Sequence, residues 1–191
     1  MYGLLNAALK EFVATRYGAD TWLAVAERAG VSDSQFSKMD PYPDELTAGL
    51  ISATVAITRD SPEQVLEGFG EYWVMYTANQ GYRALFEIAG DSLRDFLLSL
   101  DALHERVGRS FPKLVPPTFR FDNLDARTLR MHYLSTRKNL CPMIPGLLKG
   151  LSLHFNTPIQ VVEDACARRG ADHCEFIVTV SGKGTESSVA K

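Results

Sequence analysis

Hydrophobic residues in the first part of the chain recur every three or four positions, which is the spacing of one face of an α-helix. The first such stripe consists of Leu4, Leu5, Ala8, Leu9, Phe12 and Val13. The same spacing predicts helices over residues 21–29, 44–58 and 61–79, and another that begins at about residue 92. Residues 1–112 are therefore predicted to be mainly helical.

The pattern changes after residue 112, where Pro116 and Pro117 end the helical section. Polar and hydrophobic residues then alternate, as they do along a half-buried β-strand. The predicted elements are a hairpin at 118–121 and 127–135, a helix at 146–155 that crosses it, and strands at 159–162 and 175–180. This order predicts an α+β fold, with an N-terminal helical half and a C-terminal antiparallel sheet with a crossing helix.

A length of 191 residues suits a single domain with a substantial core. We expect this domain over residues 1–180, with its helical part at 1–112 and its α+β part at 113–180. The Gly- and Ser-rich residues 181–191 are predicted to be a disordered tail. Because the sequence contains no cyclase or kinase catalytic segment, any output is expected to pass to a separate protein.

The composition narrows the class of protein. A net charge of −3 gives no indication of nucleic acid or an anionic membrane as a partner. No hydrophobic run approaches the roughly 18 residues of a membrane span, and the charged residues within 1–20 argue against a signal peptide. An odd number of cysteines, three, fits a reducing cytoplasm better than a disulfide framework.

The segment Tyr133-Leu-Ser135-Thr-Arg137 contains the first candidate chemistry. Strand side chains alternate between two faces, so Tyr133, Ser135 and Arg137 are predicted to share one face. A guanidinium offers a planar fork of donors, and each hydroxyl adds another, which suits the binding of carboxylates. Taken alone, such a triplet is more often a solvated strand face.

His104 is the second candidate. It lies on or beside the hydrophobic face of the helix predicted after residue 92, where a histidine is more often part of a core than a ligand. An imidazole in a hydrophobic wall can also hold heme iron. His132 and His154 compete for this role, but His132 is predicted to point away from the Tyr133 face, and His154 has no suitable partner nearby in sequence.

Three separated motifs resemble those of the heme-nitric oxide/oxygen binding (H-NOX) family. They are the opening Met1-Tyr-Gly-Leu-Leu-Asn6, the helix with Leu100-Asp-Ala-Leu-His104, and Tyr133-x-Ser135-x-Arg137. The family includes the heme domain of the soluble guanylate cyclase β subunit and bacterial gas sensors. The resemblance covers about residues 1–180. It implies heme b between the two halves, with His104 on the iron and Tyr133, Ser135 and Arg137 on the propionates.

The resemblance also implies two contacts to the porphyrin. Pro117 matches a family proline that bends the porphyrin, and Pro-Thr-Phe in this chain corresponds to Pro-Ser-Phe in the cyclase relatives, which favours Pro117 over Pro116. Leu5 matches a residue that touches the same ring. Without the resemblance, Pro117 is a helix-to-strand junction and Leu5 is a core leucine.

The residues expected near the gas ligand favour NO over O2. Family members that hold O2 place a Tyr just after the Tyr-x-Ser-x-Arg strand; with the spacing of cyclase-like members, that position is Met143, which has no hydrogen-bond donor. Trp73 on the helix predicted at 61–79 supplies the one plausible donor, while Tyr72 and Tyr76 are expected to face elsewhere. An aromatic residue on a helix is more often core packing.

Together, these expectations predict that the protein is a heme-based NO sensor and not an enzyme. The resemblance implies that ferrous heme takes up NO or CO, that NO weakens the iron–histidine bond, and that a conformational change signals to a histidine kinase, a cyclic-dinucleotide enzyme or a chemotaxis receptor. A heme peroxidase or oxygenase would need an acid–base residue, which Met143 and Trp73 do not supply. An O2 or redox sensor and a fatty-acid-binding module that uses Arg137 are also compatible with these residues.

The cysteines provide a separate hypothesis. Cys141, Cys166 and Cys174, with Glu163 or His173, resemble the Cys/His zinc site of some bacterial family members. Zinc requires four ligands in a tetrahedral array, and Glu163 occupies the position of a histidine in those relatives. The cysteines could equally be three thiols without metal, or thiols with a redox role.

Overall fold

The computed structural model describes residues 1–32, 36–79 and 83–181. Residues 182–191, which form nearly all of the predicted disordered tail, lie outside the described residues. The helices that precede the sheet are α1 (Gly3–Tyr17), α2 (Ala19–Arg28), α3 (Asp44–Thr58), α4 (Pro62–Asn79), α5 (Arg83–Ala89), α6 (Leu93–Leu98) and α7 (Leu100–Ser110). No helix in the described part of the chain is long and hydrophobic enough to cross a membrane.

The second half of the chain forms an antiparallel sheet crossed by a helix. Its elements are β1 (Thr118–Asn123), β2 (Thr128–Leu134), α8 (Met143–His154), β3 (Ile159–Ala165) and β4 (Cys174–Val180), with 3₁₀ turns at Lys138–Leu140 and Ala167–Arg169. The strand order is β1-β2-β4-β3, and every neighbouring pair is antiparallel. The α+β architecture predicted from the sequence is confirmed.

Helix α5 was not predicted from the sequence, and the larger differences in helix boundaries lie after Ser92 and at α8. The single helix expected after residue 92 is two helices, because Ser99 ends α6 and its hydroxyl donates to the carbonyl of Ala89 at 2.6 Å. Helix α8 begins at Met143 rather than at residue 146. Pro145 therefore lies in the first turn of α8, where a missing N–H costs no intrahelical hydrogen bond.

Strand β2 separates a buried face from an outer face. Leu129, Met131 and Tyr133 point into the core, and Arg130 and His132 lie on the other face. The strand ends at Leu134, so Ser135 and Arg137 follow the strand instead of continuing its face as predicted.

Helices α4 and α8 pack against each other at unusually short range because glycines face the contact. A Cβ atom on Gly146 would lie 1.9 Å from the carbonyl oxygen of Glu67, and one on Gly70 would lie 2.3 Å from that of Met143. Side chains larger than glycine would force the helices apart. The close packing fixes Trp73 of α4 and Met143 of α8 on the same side of the domain.

Candidate functional site

A cavity of about 340 Å³ lies between the helical half and the sheet. Its size falls within the roughly 300–1,000 Å³ of typical small-molecule sites. The residues of its wall that were singled out in the sequence are Leu5, Trp73, His104, Pro117, Tyr133, Ser135, Arg137 and Met143. The fold thus brings together residues that are up to 138 positions apart (143 minus 5). Their roles toward a cofactor remain predictions.

Helix α7 supplies one hydrophobic wall of the cavity. Its Leu100, Leu103, His104 and Val107 all line the cavity, and no residue of this helix is fully buried. An amphipathic helix normally buries its hydrophobic stripe against other parts of the protein. Because this stripe faces a cavity instead, the site is suited to a large hydrophobic ligand.

The side chain of His104 carries an unpaired polar atom in this wall. Its Nδ1 is buried and has no hydrogen-bond partner among the described residues. Burial lowers the pKa of His104, while the charge of Asp101 and the backbone of Pro117 oppose this shift only in part. The neutral imidazole that burial favours is also the form that coordinates a metal.

Arg137 is held in place by bonds that the sequence did not predict. Its Nε donates to Oδ2 of Asp44 at 2.6 Å, its Nη2 donates to Oδ1 of Asp44 at 3.3 Å, and its Nη1 donates to the carbonyl of Val115 at 2.7 Å. The same Asp44 carboxylate accepts a bond of 2.6 Å from the ammonium of Met1. The hydrogen bond from Arg137 holds the pKa of Asp44 below its usual range.

These bonds leave capacity for a further carboxylate. A guanidinium carries five N–H donors, and the described bonds of Arg137 use three of them. The sequence signal for Asp44 was weak, since an acidic residue in the first turn of a helix is already explained by the helix dipole.

The two hydroxyls of the motif have different surroundings. Tyr133 is 5% exposed, and burial raises the pKa of Tyr133, so its hydroxyl stays protonated and can donate. Ser135 Oγ accepts a bond of 3.0 Å from the backbone N–H of Arg137. This local bond stabilises the turn that presents Arg137 to the cavity.

The wall formed by α4 and α8 is mainly nonpolar. Met143 is 8% exposed, and Trp73 packs against Phe69 and Tyr76. Tyr72 and Tyr76 belong to the helical core and are not part of the cavity wall, as expected. Among the described residues, the wall contains no carboxylate and no histidine other than His104.

The model of the Haem-NO-binding family matches residues 2–163. The chain belongs to the haem-NO-binding family. The soluble guanylate cyclase gcy-31 of Caenorhabditis elegans is 28% identical over 162 residues, which are 84% of this chain and 23% of that protein. The soluble guanylate cyclase 89Da of Drosophila melanogaster is 27% identical over 155 residues, 81% of this chain and 23% of that protein. The chain spans about a quarter of the length of these relatives.

Solved H-NOX structures share the fold of this family member. A mutant H-NOX protein from S. oneidensis in the Fe(II) state has a TM-score of 0.89 at 22% identity, covering 97% of this chain and 98% of that chain. The Fe(II)NO form from the same organism has a TM-score of 0.87 at 22% identity, covering 95% and 100%. The Fe(II) unliganded protein from K. algicida has a TM-score of 0.82 at 20% identity, covering 96% and 98%.

The residues of this haem-NO-binding domain fit heme. His104 offers a buried nitrogen with no partner, the cavity wall is hydrophobic, and Arg137 has donors to spare for a carboxylate. Heme combines a metal that takes a nitrogen ligand, a large hydrophobic ring and two carboxylates, so each feature has a counterpart.

A second cluster in the domain consists of the three cysteines and Glu163. The Sγ atoms of Cys141 and Cys166 are 3.7 Å apart, and the possible ligand atoms of Cys141, Glu163, Cys166 and Cys174 all lie within 4.8 Å of one another. Glu163 is also paired with Arg169 at 2.8 Å. Burial raises the pKa of Cys141 to about 12, so without a bound cation its thiol is neutral.

Proposed function

We propose that this domain is a cytoplasmic heme-based sensor of nitric oxide and that it is not itself an enzyme. The observation that carries the proposal is the buried, partnerless Nδ1 of His104 on the hydrophobic wall of the cavity. When bound there, heme would supply an iron that takes NO or CO. The Fe(II)NO state of the S. oneidensis protein and the Fe(II)CO state of another H-NOX structure support this choice of ligands.

Tyr133, Ser135 and Arg137 are proposed to hold the propionates, with Arg137 as the main contributor. Asp44 and the Val115 carbonyl orient the guanidinium, and two of its N–H groups remain for the cofactor. Leu5 and Pro117 are proposed to touch the porphyrin from opposite halves of the fold, since both line the same cavity.

Signalling is proposed to use the connection between the two halves. Asp44 in α3 forms ion pairs with both the ammonium of Met1 and Arg137, which follows β2. A shift of Leu5 relative to Pro117 would therefore also change the geometry of these ion pairs. To respond, a partner must bind the two states with different free energies. A separate histidine kinase, cyclic-dinucleotide enzyme or chemotaxis receptor is proposed from the family resemblance.

An absorption spectrum separates this proposal from its main rival. The purified, reduced protein is expected to show a heme spectrum that changes when NO or CO is added. A chain that binds no heme but takes up a long-chain fatty acid would contradict the sensor proposal and favour a module that uses Arg137 for the fatty-acid carboxylate. Turnover of peroxide by the heme-loaded protein would instead favour a heme enzyme.

Arg137→Ala is expected to weaken heme binding more than Ser135→Ala. A charge-assisted hydrogen bond contributes about 1.5–3 kcal/mol, against about 1 kcal/mol for a neutral one, and the Ser135 hydroxyl is partly used in its own turn. The measurement is the rate of heme transfer from each variant to an apo-globin acceptor.

Arg127→Ala is the matched control, because Arg127 is exposed and lies outside the cavity wall. Asp44→Asn removes the ion pair between Asp44 and Arg137 but keeps the guanidinium. Its heme transfer rate therefore shows how much of the effect of Arg137→Ala comes from loss of that ion pair. Equal transfer rates for the Arg137 and Ser135 variants would remove Arg137 from its central role.

The cysteine cluster is a second candidate site, and we propose that it binds Zn²⁺. Its support is the short distance among the ligand atoms of Cys141, Glu163, Cys166 and Cys174. The pairing of Glu163 with Arg169 competes with coordination and makes the site weaker than one with four thiolate or imidazole ligands.

The metal-free thiol of Cys141 is expected to be inert. With a pKa of about 12, the fraction of thiolate at pH 8 is on the order of a thousand times smaller than for a free cysteine of pKa about 8.5. Alkylation of Cys141 by iodoacetamide, followed by mass spectrometry, should therefore be slow in the folded protein after chelation. The urea-unfolded chain is the control. Rapid alkylation of the folded, chelated protein would show a thiolate and favour the redox role.

A further inference from the structure

A cluster of metal-ligating side chains lies on the outer face of the sheet, away from the cavity. His132 of β2 stands directly opposite Glu175 of β4 in the strand register, and His173 immediately precedes β4. The side chains of all three are partly buried, with exposed fractions between 19% and 29%. The strands therefore hold these groups in place without closing them off from solvent.

The three inward-facing atoms form a small triangle. His132 Nδ1 lies 2.9 Å from His173 Nε2 and 3.6 Å from Glu175 Oε1, and His173 Nε2 lies 3.3 Å from Glu175 Oε1. A tetrahedral ion with bonds of about 2.0–2.2 Å holds its ligands about 3.3–3.6 Å apart. The triangle is close to this spacing, so an ion could be coordinated with only small side-chain movements.

The remaining atoms of these side chains are bonded in a way that supports coordination. His132 Nε2 lies 3.0 Å from Oδ2 of Asp122, an arrangement of carboxylate and histidine that orients many metal-bound imidazoles. Glu175 accepts a bond of 2.5 Å from Arg130 through its other oxygen, Oε2. Arg130 is in turn bound to Asp164 at 2.8 Å. Oε1 of Glu175 is thus left facing the two imidazoles.

We propose that His132, His173 and Glu175 form a surface site for a divalent transition-metal ion, with water in the remaining position. Two imidazoles and one carboxylate suit Zn²⁺, Cu²⁺ or Ni²⁺ better than Mg²⁺ or Ca²⁺, which prefer oxygen ligands. The hydrogen bond between the two imidazoles places one proton between Nδ1 and Nε2. On coordination that proton leaves the facing nitrogen and the same ring carries a proton on its other nitrogen instead, so both ligands remain neutral imidazoles.

This site is separate from the cysteine cluster although both use β4. Cys174 lies between His173 and Glu175 in sequence, but it is 1% exposed and belongs to the core, whereas Glu175 faces outward. An ion at the histidine site would have only nitrogen and oxygen ligands. That difference gives each site its own spectroscopic signature.

The test is a Zn²⁺ titration of the purified, heme-loaded chain by isothermal calorimetry. His173→Gln and Glu175→Gln are each expected to remove one zinc equivalent or to weaken that binding step at least 100-fold. Asp122→Asn, which acts through His132, should weaken it by about 10–100-fold. His154→Gln is the matched control, since His154 packs against Phe86 and Phe155 away from the cluster. It should leave the titration unchanged.

Zinc X-ray absorption on the wild type and on Cys166→Ser separates the two sites without any change to the histidines. The proposal requires nitrogen or oxygen ligands at about 2.0 Å that persist in Cys166→Ser, without sulfur at about 2.3 Å. Purely sulfur-rich coordination in the wild type, or an unchanged zinc stoichiometry in both His173→Gln and Glu175→Gln, would overturn it. A loss of zinc in His154→Gln equal to that in His173→Gln would also overturn it.

Discussion

His104→Gly is expected to abolish stable heme retention unless imidazole is added to the medium. The variant removes the one imidazole in the described cavity wall and leaves a gap of similar size behind. A free imidazole molecule can enter this gap and replace the lost ligand. The measurement is the heme absorption of the purified variant, prepared with and without imidazole, compared with that of the wild type.

The control must account for the glycine itself, which weakens a helix by about 1 kcal/mol when it lies in the helix interior. Glu105→Gly introduces the same change at the next position of α7, where the side chain is 77% exposed and does not line the cavity. It should retain heme without imidazole. A wild-type ferrous spectrum for His104→Gly in the absence of imidazole would show that another residue holds the iron.

Local patterns predicted most elements of this fold, and together with the family resemblance they named eight residues of its cavity wall. The spacing of hydrophobic residues located α1, α3, α4 and the hairpin of β1 and β2, because each buries one face against the core. Ser99 was not recognised as a helix break, because its bond to the carbonyl of Ala89 joins residues that are not neighbours in any predicted element.

Long-range pairing accounts for most of what the sequence did not predict. Asp44 and Arg137 are 93 positions apart, and each has a satisfactory local explanation without the other. The approach of His132 to His173 depends on the β2–β4 pairing, which is non-consecutive in sequence. Such contacts require the strand order, whereas the sequence supplied only the strands.

The structure positions the motif Tyr133-x-Ser135-x-Arg137 differently from the prediction based on a continuous strand. Tyr133 was predicted to share a strand face with Ser135 and Arg137, but the strand ends at Leu134. The three residues reach the same cavity because the turn after β2, held by the Ser135 hydroxyl, redirects the chain. The prediction that the three side chains meet at one site therefore agrees with the structure, whereas the shared strand face given as its reason does not.

The reduced, heme-loaded protein is expected to bind NO and CO but to retain no O2 in air. Bound O2 carries partial negative charge and gains from a hydrogen-bond donor in a dry pocket, whereas NO binds ferrous heme tightly without one. Met143 is 8% exposed, lines the cavity and has no donor to offer. The absorption spectrum in air-saturated buffer, compared with that under NO and CO, is the measurement.

Met143→Tyr tests whether the lack of a hydrogen-bond donor at Met143 is the reason that O2 is not retained. A hydrogen bond to a charged acceptor contributes about 1.5–3 kcal/mol, so the new hydroxyl should raise O2 affinity by roughly ten- to a hundred-fold. Met143→Phe supplies the same ring without the hydroxyl and should leave O2 affinity low, which separates hydrogen bonding from a change in cavity shape. Trp73 lines the same cavity and carries the competing donor in its indole N–H. Retention of O2 by the wild type that disappears in Trp73→Phe would show that the indole already supplies the hydrogen bond, and that Met143 does not decide which gas is bound.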